Sequence, residues 1–169
     1  MNQEFIIVAV LPEPFRTELA QLRQTYDRWT TNALPPHITI VRPLRALPAK
    51  LQQRLSSLRY PFRITFQDWQ AFRNPGAHVI WVDPGQEEAG RVAQALDQDF
   101  PELTAFDNGR YMPGKSHIYH VTVVSHIPND QFKSVWENIR QQRMSGSCDI
   151  EQLSVYVRDL PEGHWKPAE

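Results

Sequence analysis

The same short pattern of residues occurs twice in the chain, once in each half. The first copy is His37-Ile38-Thr39-Ile40, and the second is His120-Val121-Thr122-Val123. Because successive side chains of a β-strand point to opposite faces, each copy would place a histidine and a threonine on one face and two aliphatic residues on the other. Two such strands can bury their aliphatic faces in a core while their polar faces line one shared cleft.

The size and charge of the chain limit what it can be. Its 169 residues, 41% of them hydrophobic, suffice for the core of one domain. We therefore predict a single two-lobed domain over residues 1–169, with repeated halves at about 1–75 and 76–169. The net charge of −1 provides no overall positive field for nucleic acid, so an anionic ligand must be held by a local site.

The cysteine content and the N-terminus indicate the compartment. Cys148 is the only cysteine, which excludes intrachain disulfides and cysteine-rich zinc sites. The apolar run Phe5–Leu11 is too short to span a membrane and follows no basic segment. These features predict a soluble, cytoplasmic protein without a membrane partner.

Hydrophobic spacing predicts the same order of elements in both halves: strand, helix, motif strand, helix, strand. In the first half the flanking elements are Phe5–Leu11, Glu13–Trp29, Pro48–Leu58 and Phe62–Trp69. In the second half they are His78–Val82, Glu87–Phe100, Asp130–Arg140 and Ile150–Val157. The two histidines and the two threonines are separated equally (120 − 37 = 83 and 122 − 39 = 83). We predict an α+β fold of two pseudo-symmetric lobes, each an antiparallel-rich sheet with outer helices, around a central cleft.

The residue types of the repeated pattern suit phosphodiester chemistry. A neutral histidine can accept a proton from an attacking water or hydroxyl, and a protonated one can donate a proton to the departing oxygen. Hydroxyls of Thr39 and Thr122 can donate hydrogen bonds to the non-bridging oxygens, where negative charge grows. A single copy of the pattern would be weak evidence, because threonine is common in strands and a lone histidine is usually structural. Two copies at matching positions favour a site made by His37 and His120.

Other polar residues near the second pattern are weaker candidates. Arg110, Tyr111 and Lys115, in the loop 104–118, could close over a nucleotide, and Tyr111 or Tyr119 could stack on a base. A solvated loop explains the loop residues equally well.

Two further histidines are predicted to lie outside the site. Strand geometry would put His117 on the face opposite His120, and His126 would lie about 20 Å along the strand. The spacing of these histidines, without a carboxylate cluster, does not indicate a metal site.

The chain resembles the two-histidine phosphoesterase superfamily, which includes 2′-5′ RNA ligase-like proteins and cyclic nucleotide phosphodiesterases. The resemblance rests on both His-x-Thr-x motifs, their spacing and the opening strand that ends at Leu11-Pro12. It implies that His37 and His120 are catalytic, that Thr39 and Thr122 bind phosphate, and that no metal or other cofactor takes part. In ligase-like members a cation often follows the second motif, whereas the segment Val124–Pro128 has none.

The function expected from these observations is metal-independent hydrolysis of 2′,3′-cyclic phosphates or related phosphodiesters of nucleotides and RNA ends. Two alternatives stay open: a module that binds a nucleotide or RNA end without turnover, and 2′-5′ joining of RNA ends. The expected partner is the nucleotide or RNA-end substrate, and nothing indicates an obligate protein partner, so a monomer is predicted.

Overall fold

A computed structural model describes residues 2–30, 34–54, 57–105, 117–161 and 163–168. Helices and antiparallel strands alternate along these residues, which confirms the predicted mixed α+β class. The helices are α1 Phe15–Tyr26, α2 Ala49–Arg54, α3 Gln86–Asp99, α4 Glu102–Ala105 and α5 Asn129–Ile139. The strands are β1 Gln3–Val10, β2 His37–Leu44, β3 Phe62–Phe66, β4 Trp69–Phe72, β5 His78–Val82, β6 Val121–Ile127, β7 Gly146–Ile150, β8 Ser154–Asp159 and β9 Lys166–Pro167.

The described strands form three antiparallel sheets. One sheet has the order β2-β1-β8-β9, the second pairs β3 with β7, and the third has the order β4-β5-β6. The two motif strands therefore belong to different sheets, β2 beside β1 and β6 beside β5, yet they contact each other. The candidate site therefore lies where these two sheets meet.

The pairing of each motif strand follows the same irregular register. Ile7 and Val8 of β1 lie opposite Val41 and Thr39, so Ile40 has no partner. In β5 and β6, Ile80 and Trp81 lie opposite Val124 and Thr122, so Val123 has none. Corresponding residues are 73 apart in the partner strands (80 − 7) and 83 apart in the motif strands (124 − 41). The two motif strands thus share a bulge directly after the threonine; the repeated halves and their assembly into two lobes of a single domain stay a prediction.

Helices from one half cover the motif strand of the other half. Helix α1 packs on β6, and α3 packs on β2 and β3. Ile38 and Ile40 face this packing from β2, with 0% and 5% of their surface exposed, while Val121 and Val123 are fully buried. The aliphatic faces of both strands are thus inside the core, and the histidines and threonines are half-buried on the other side.

Two predicted strands are each divided in two, so these predictions were wrong in detail. The segment Phe62–Trp69 ends one strand at Phe66 and begins the next at Trp69, and Ile150–Val157 is interrupted between Ile150 and Ser154. At both interruptions the chain passes from the two-stranded sheet into one of the larger sheets. Hydrophobic alternation continues through such a crossing and therefore does not reveal it.

Among the described residues, no helix has both the length and the apolar character that crossing a bilayer requires.

The core beneath the motif strands should be sensitive to lost volume. Leu96 of α3 is fully buried, whereas Gln94 on the same helix is exposed. We expect Leu96→Ala to lower the free energy of unfolding by about 2–5 kcal/mol, because the cavity it leaves adds to the lost transfer energy. Urea unfolding measures this change, with Gln94→Ala as the control. Equal stability of the two variants would contradict the packing described for α3.

Candidate active site

The two motif histidines are held by the same local hydrogen bond. Nδ1 of His37 donates to the carbonyl oxygen of Pro35 at 2.7 Å, and Nδ1 of His120 donates to that of Ile118 at 2.8 Å. In each case the acceptor is the main chain two residues earlier. A carbonyl can only accept, so the bond places the proton on Nδ1 in the neutral ring and leaves Nε2 as the atom able to exchange a proton.

His37 and His120 have different electrostatic surroundings. The pKa of His37 is lowered to about 4, chiefly by burial and also by the charges of Arg23 and His120, against a rise caused by the Pro35 carbonyl. Burial also lowers the pKa of His120, where the Ile118 carbonyl raises it and Arg42 lowers it. The charge of His120 is among those that act on His37, so the two imidazoles are close enough to interact electrostatically.

The motif threonines lie beside these rings with hydroxyls that can serve a ligand. Thr39 and Thr122 are half-buried, two residues after His37 and His120. In the part of the chain that the structure describes, neither hydroxyl makes a hydrogen bond to another residue. The arrangement therefore presents two hydroxyl donors and two Nε2 atoms.

An aromatic wall supports His120 and has no counterpart at the corresponding position beside His37. Trp81 lies opposite Thr122 in the sheet, and its ring is 5.6 Å from that of His120 between centroids. Phe72 stacks on Trp81 at 5.0 Å and meets the His120 ring edge-on at 5.1 Å. The residue of β1 that corresponds to Trp81 is Val8, which lies opposite Thr39. These contacts restrict the orientation of the His120 ring.

His117 lies near the site, so the prediction that it is on the opposite face was wrong. Its ring centroid is 6.5 Å from that of His120, and Nε and Nη2 of Arg42 donate to its Nδ1 at 3.3 and 3.2 Å. Residues 117–120 precede β6 and are not part of the strand, so strand alternation does not apply to them. Burial lowers the pKa of His117, the charges of Arg42 and His120 also lower it, and a hydrogen bond with the main chain of Thr39 raises it.

No arginine or lysine follows the second motif within Val124–Pro128, whereas Arg42 follows the first motif. Arg42 is the fifth residue after His37, and the corresponding residue after His120 is Ser125 (42 + 83 = 125). Because the bulge after Thr39 changes the face on which later residues of β2 point, Arg42 reaches His117 beside the second motif. The sequence contains this arginine, but only the contact between the motif segments reveals its location.

Arg23 is a second arginine that the sequence did not single out. Its guanidinium donates from Nε and Nη2 to the Thr122 carbonyl at 3.1 and 2.6 Å, and from Nη1 to the Leu34 carbonyl at 2.9 Å. In the sequence it is one polar residue of a predicted amphipathic helix, and no local pattern distinguishes it from Arg16 or Arg28. Its importance follows only from the packing of α1 on β6.

Three of the weaker candidates, Arg110, Tyr111 and Lys115, lie outside the described residues. The main chain of Tyr119 is held by Gln86 at the start of α3: N of Tyr119 donates to Oε1, and Nε2 of Gln86 donates to the Tyr119 carbonyl, both at 2.8 Å. The Tyr119 ring lies edge-on to His117 at 4.7 Å. A base-stacking role for Tyr119 stays a prediction.

No cluster of three or more histidine, cysteine, aspartate or glutamate side chains within the described ranges could hold a metal ion.

Similar proteins are known at the level of family and fold. The profile of the 2′-5′ RNA ligase superfamily matches residues 11–162. The structure of TT0787 of Thermus thermophilus is similar with a TM-score of 0.62 and 19% identity, covering 98% of this chain and 95% of that one. The structure of E. coli LigT complexed with 3′-AMP has a TM-score of 0.60 and 15% identity, with 100% and 97% covered. No curated protein matches the chain. At these identities the structural likeness shows the fold alone.

The matched hydrogen bonds predict one tautomer for both motif histidines. We expect the neutral rings of His37 and His120 to carry the proton on Nδ1, because the Pro35 and Ile118 carbonyls can only accept. Nitrogen-15 NMR of the imidazoles distinguishes the two tautomers, and the exposed His164 is an internal reference. A protonated Nε2 in the neutral form of either motif histidine would contradict the geometry.

Proposed function

The chain belongs to the 2′-5′ RNA ligase superfamily, a group of phosphoesterases and ligase-like proteins, and on that premise we propose that it is a metal-independent phosphodiesterase that opens 2′,3′-cyclic phosphates of nucleotides or RNA ends. The observation that carries the proposal is the matched anchoring of His37 and His120 through Nδ1. Two imidazoles that each keep Nε2 available can supply both an acid and a base.

The different surroundings of the two histidines favour His37 as the base and His120 as the acid. With a pKa of about 4, His37 is neutral over most of the pH range, which suits the base. The pKa of His120 is lowered less than that of His37, so His120 holds a proton at higher pH than His37 does. His120 is therefore the better acid, and an anionic phosphate bound between the rings would favour its protonated form.

Hydrolysis then needs one water and two proton transfers. The water oxygen attacks phosphorus while Nε2 of His37 takes a proton from it. The bond between phosphorus and one sugar oxygen breaks, and that oxygen receives the proton from Nε2 of His120. The product is a 2′- or 3′-phosphomonoester beside a free hydroxyl, and proton exchange with solvent returns both histidines to their starting states. Thr39 and Thr122 donate to the non-bridging oxygens as their negative charge grows.

The substrate class has two sources of support. The site supplies two proton-transfer groups, which a module that only binds nucleotides does not need. In addition, the similar LigT structure is complexed with 3′-AMP, and 3′-AMP is one of the two products that opening 2′,3′-cyclic AMP can give. A nucleotide with its phosphate at the 2′ or 3′ position is accordingly the ligand class proposed for this cleft.

The test is turnover of 2′,3′-cyclic AMP, and of an RNA oligonucleotide with a 2′,3′-cyclic end, by the purified protein in EDTA. We expect a phosphomonoester product, and a loss of about 10²–10⁴-fold in His37→Ala and in His120→Ala, because each removes one proton transfer. The double variant should be little worse than either single one, since the two groups act as a unit. Thr39→Val and Thr122→Val should lose less, and the exposed His164→Ala is the control.

Other outcomes of this assay identify the alternatives. Joined oligonucleotides without any monoester would make end joining the activity, and binding without either product would leave a nucleotide-binding module. Full turnover in either histidine variant, or turnover restored only by a divalent metal ion after EDTA treatment, would refute the two-histidine mechanism.

The pKa values predict a bell-shaped dependence of kcat/KM on pH with its maximum on the acid side of neutrality. The rate should rise as the pH increases through about 4, where His37 loses its proton and becomes a base. It should fall as the pH increases through the pKa of His120, which lies below its ordinary value of 6.5. Steady-state kinetics in a series of constant-ionic-strength buffers measures both limbs. A rate that rises steadily from pH 5 to 9 would contradict this assignment.

A further inference from the structure

One guanidinium connects the two chain segments that carry the catalytic candidates. Leu34, whose carbonyl accepts from Nη1 of Arg23, is three residues before His37. Thr122, whose carbonyl accepts from Nε and Nη2, is two residues after His120 and is itself a motif residue. A guanidinium is planar and presents its donors in fixed directions, so these three bonds constrain the distance between the two segments.

The main-chain hydrogen bonds of both segments lie within their own halves. The chain at Pro36 is bonded to β1, where the Leu11 N–H donates to the Pro36 carbonyl at 3.0 Å, and β6 is paired with β5. Helix α1 belongs to the first half and packs on the motif strand of the second. Arg23 is therefore placed where a change in the packing of α1 would alter the separation of His37 from His120.

The charge of Arg23 is not neutralised by a contacting carboxylate in the described chain. Its two acceptors are neutral carbonyls, and Asp27, one helical turn later, accepts instead from the Trp29 and Thr30 N–H groups and from the Thr30 hydroxyl. Burial outweighs the opposing effect of Asp27 and lowers the pKa of Arg23 to about 10, so the side chain is a partly buried cation at neutral pH. Such a cation is costly when only dipoles surround it, and an anion bound nearby would offset that cost.

We propose that Arg23 is a positioning residue that sets the separation of His37 and His120 and provides the buried positive charge beside the bound phosphoryl group. This role rests on the proposed function of the two histidines. It adds a residue outside both motifs to the site, and it assigns the first helix a part in catalysis rather than only in covering the sheet.

Two substitutions separate the geometric role from the charge. Arg23→Lys keeps the positive charge, but a single ammonium cannot span both carbonyls in the way the guanidinium does. Arg23→Met removes the charge and all three hydrogen bonds while keeping an unbranched side chain. We expect kcat to fall by about 10²-fold in both variants, because small misplacements of reacting groups are costly. KM and the dissociation constant for inorganic phosphate should rise mainly in Arg23→Met. Arg16→Met is the matched control, since Arg16 is an exposed residue of the same helix paired with Glu13.

The titration of His37 provides a readout that does not depend on turnover. The charged or titratable groups that act on His37 are Arg23 from α1 and His120 from the segment before β6. Both disfavour a proton on His37, so loss of the Arg23 charge should make protonation easier. NMR titration should therefore show a higher His37 pKa in Arg23→Met and a value near that of the wild type in Arg23→Lys.

These measurements decide the proposal whatever the substrate proves to be. A raised His37 pKa and weaker phosphate binding in Arg23→Met would support the charge role even if no cyclic phosphate were hydrolysed, and that result would count against the proposed function alone. Wild-type kcat in Arg23→Lys would overturn the geometric role, including in the case that Arg23→Met does not fold. An unchanged His37 titration together with unchanged phosphate binding in folded Arg23→Met would overturn the charge role.

Discussion

Burial of the aliphatic faces of two motif strands is the constraint on which the site depends. The fold buries Ile38 and Ile40 of β2 by packing α3 on β2. It buries Val121 and Val123 of β6 by packing α1 on β6. Once those faces are buried, strand alternation directs His37, Thr39 and Thr122 to the side where the two sheets meet, and His120 directly precedes β6. The position of the polar motif residues thus follows from the burial of the aliphatic motif residues in the core.

The two halves use one motif in two environments. The hydrogen bond from Nδ1 and the bulge after the threonine are the same on both sides. The surroundings differ: His37 lies near the partly buried Arg23, whereas His120 lies against Trp81 and Phe72 and within the field of Arg42. Unequal neighbours act differently on the pKa values of the two histidines, so the two rings are not equivalent as proton donors and acceptors.

The family match and the similar structures support this description to different extents. The match to the 2′-5′ RNA ligase superfamily spans residues 11–162 and establishes membership. The similar structures share between 15% and 19% of their residues with this chain, so they establish the course of the backbone but not the residues of the site. Features such as Arg42 after the first motif and Trp81 opposite Thr122 are properties of this chain, read from its own contacts.

The sequence by itself determined the mixed helical and antiparallel class, the order of most elements and the burial of the aliphatic motif residues. These properties depend on local periodicity, because a residue must be inside or outside wherever its strand or helix packs. Only the tertiary structure decided that the strands after Phe66 and Ile150 change sheets, that His117 joins His120, and that Arg23 binds the main chain at both motifs. Each of these involves a pairing between distant segments or a turn outside regular structure. Such contacts are selected by the packing of the whole chain, and no local pattern of residues records them.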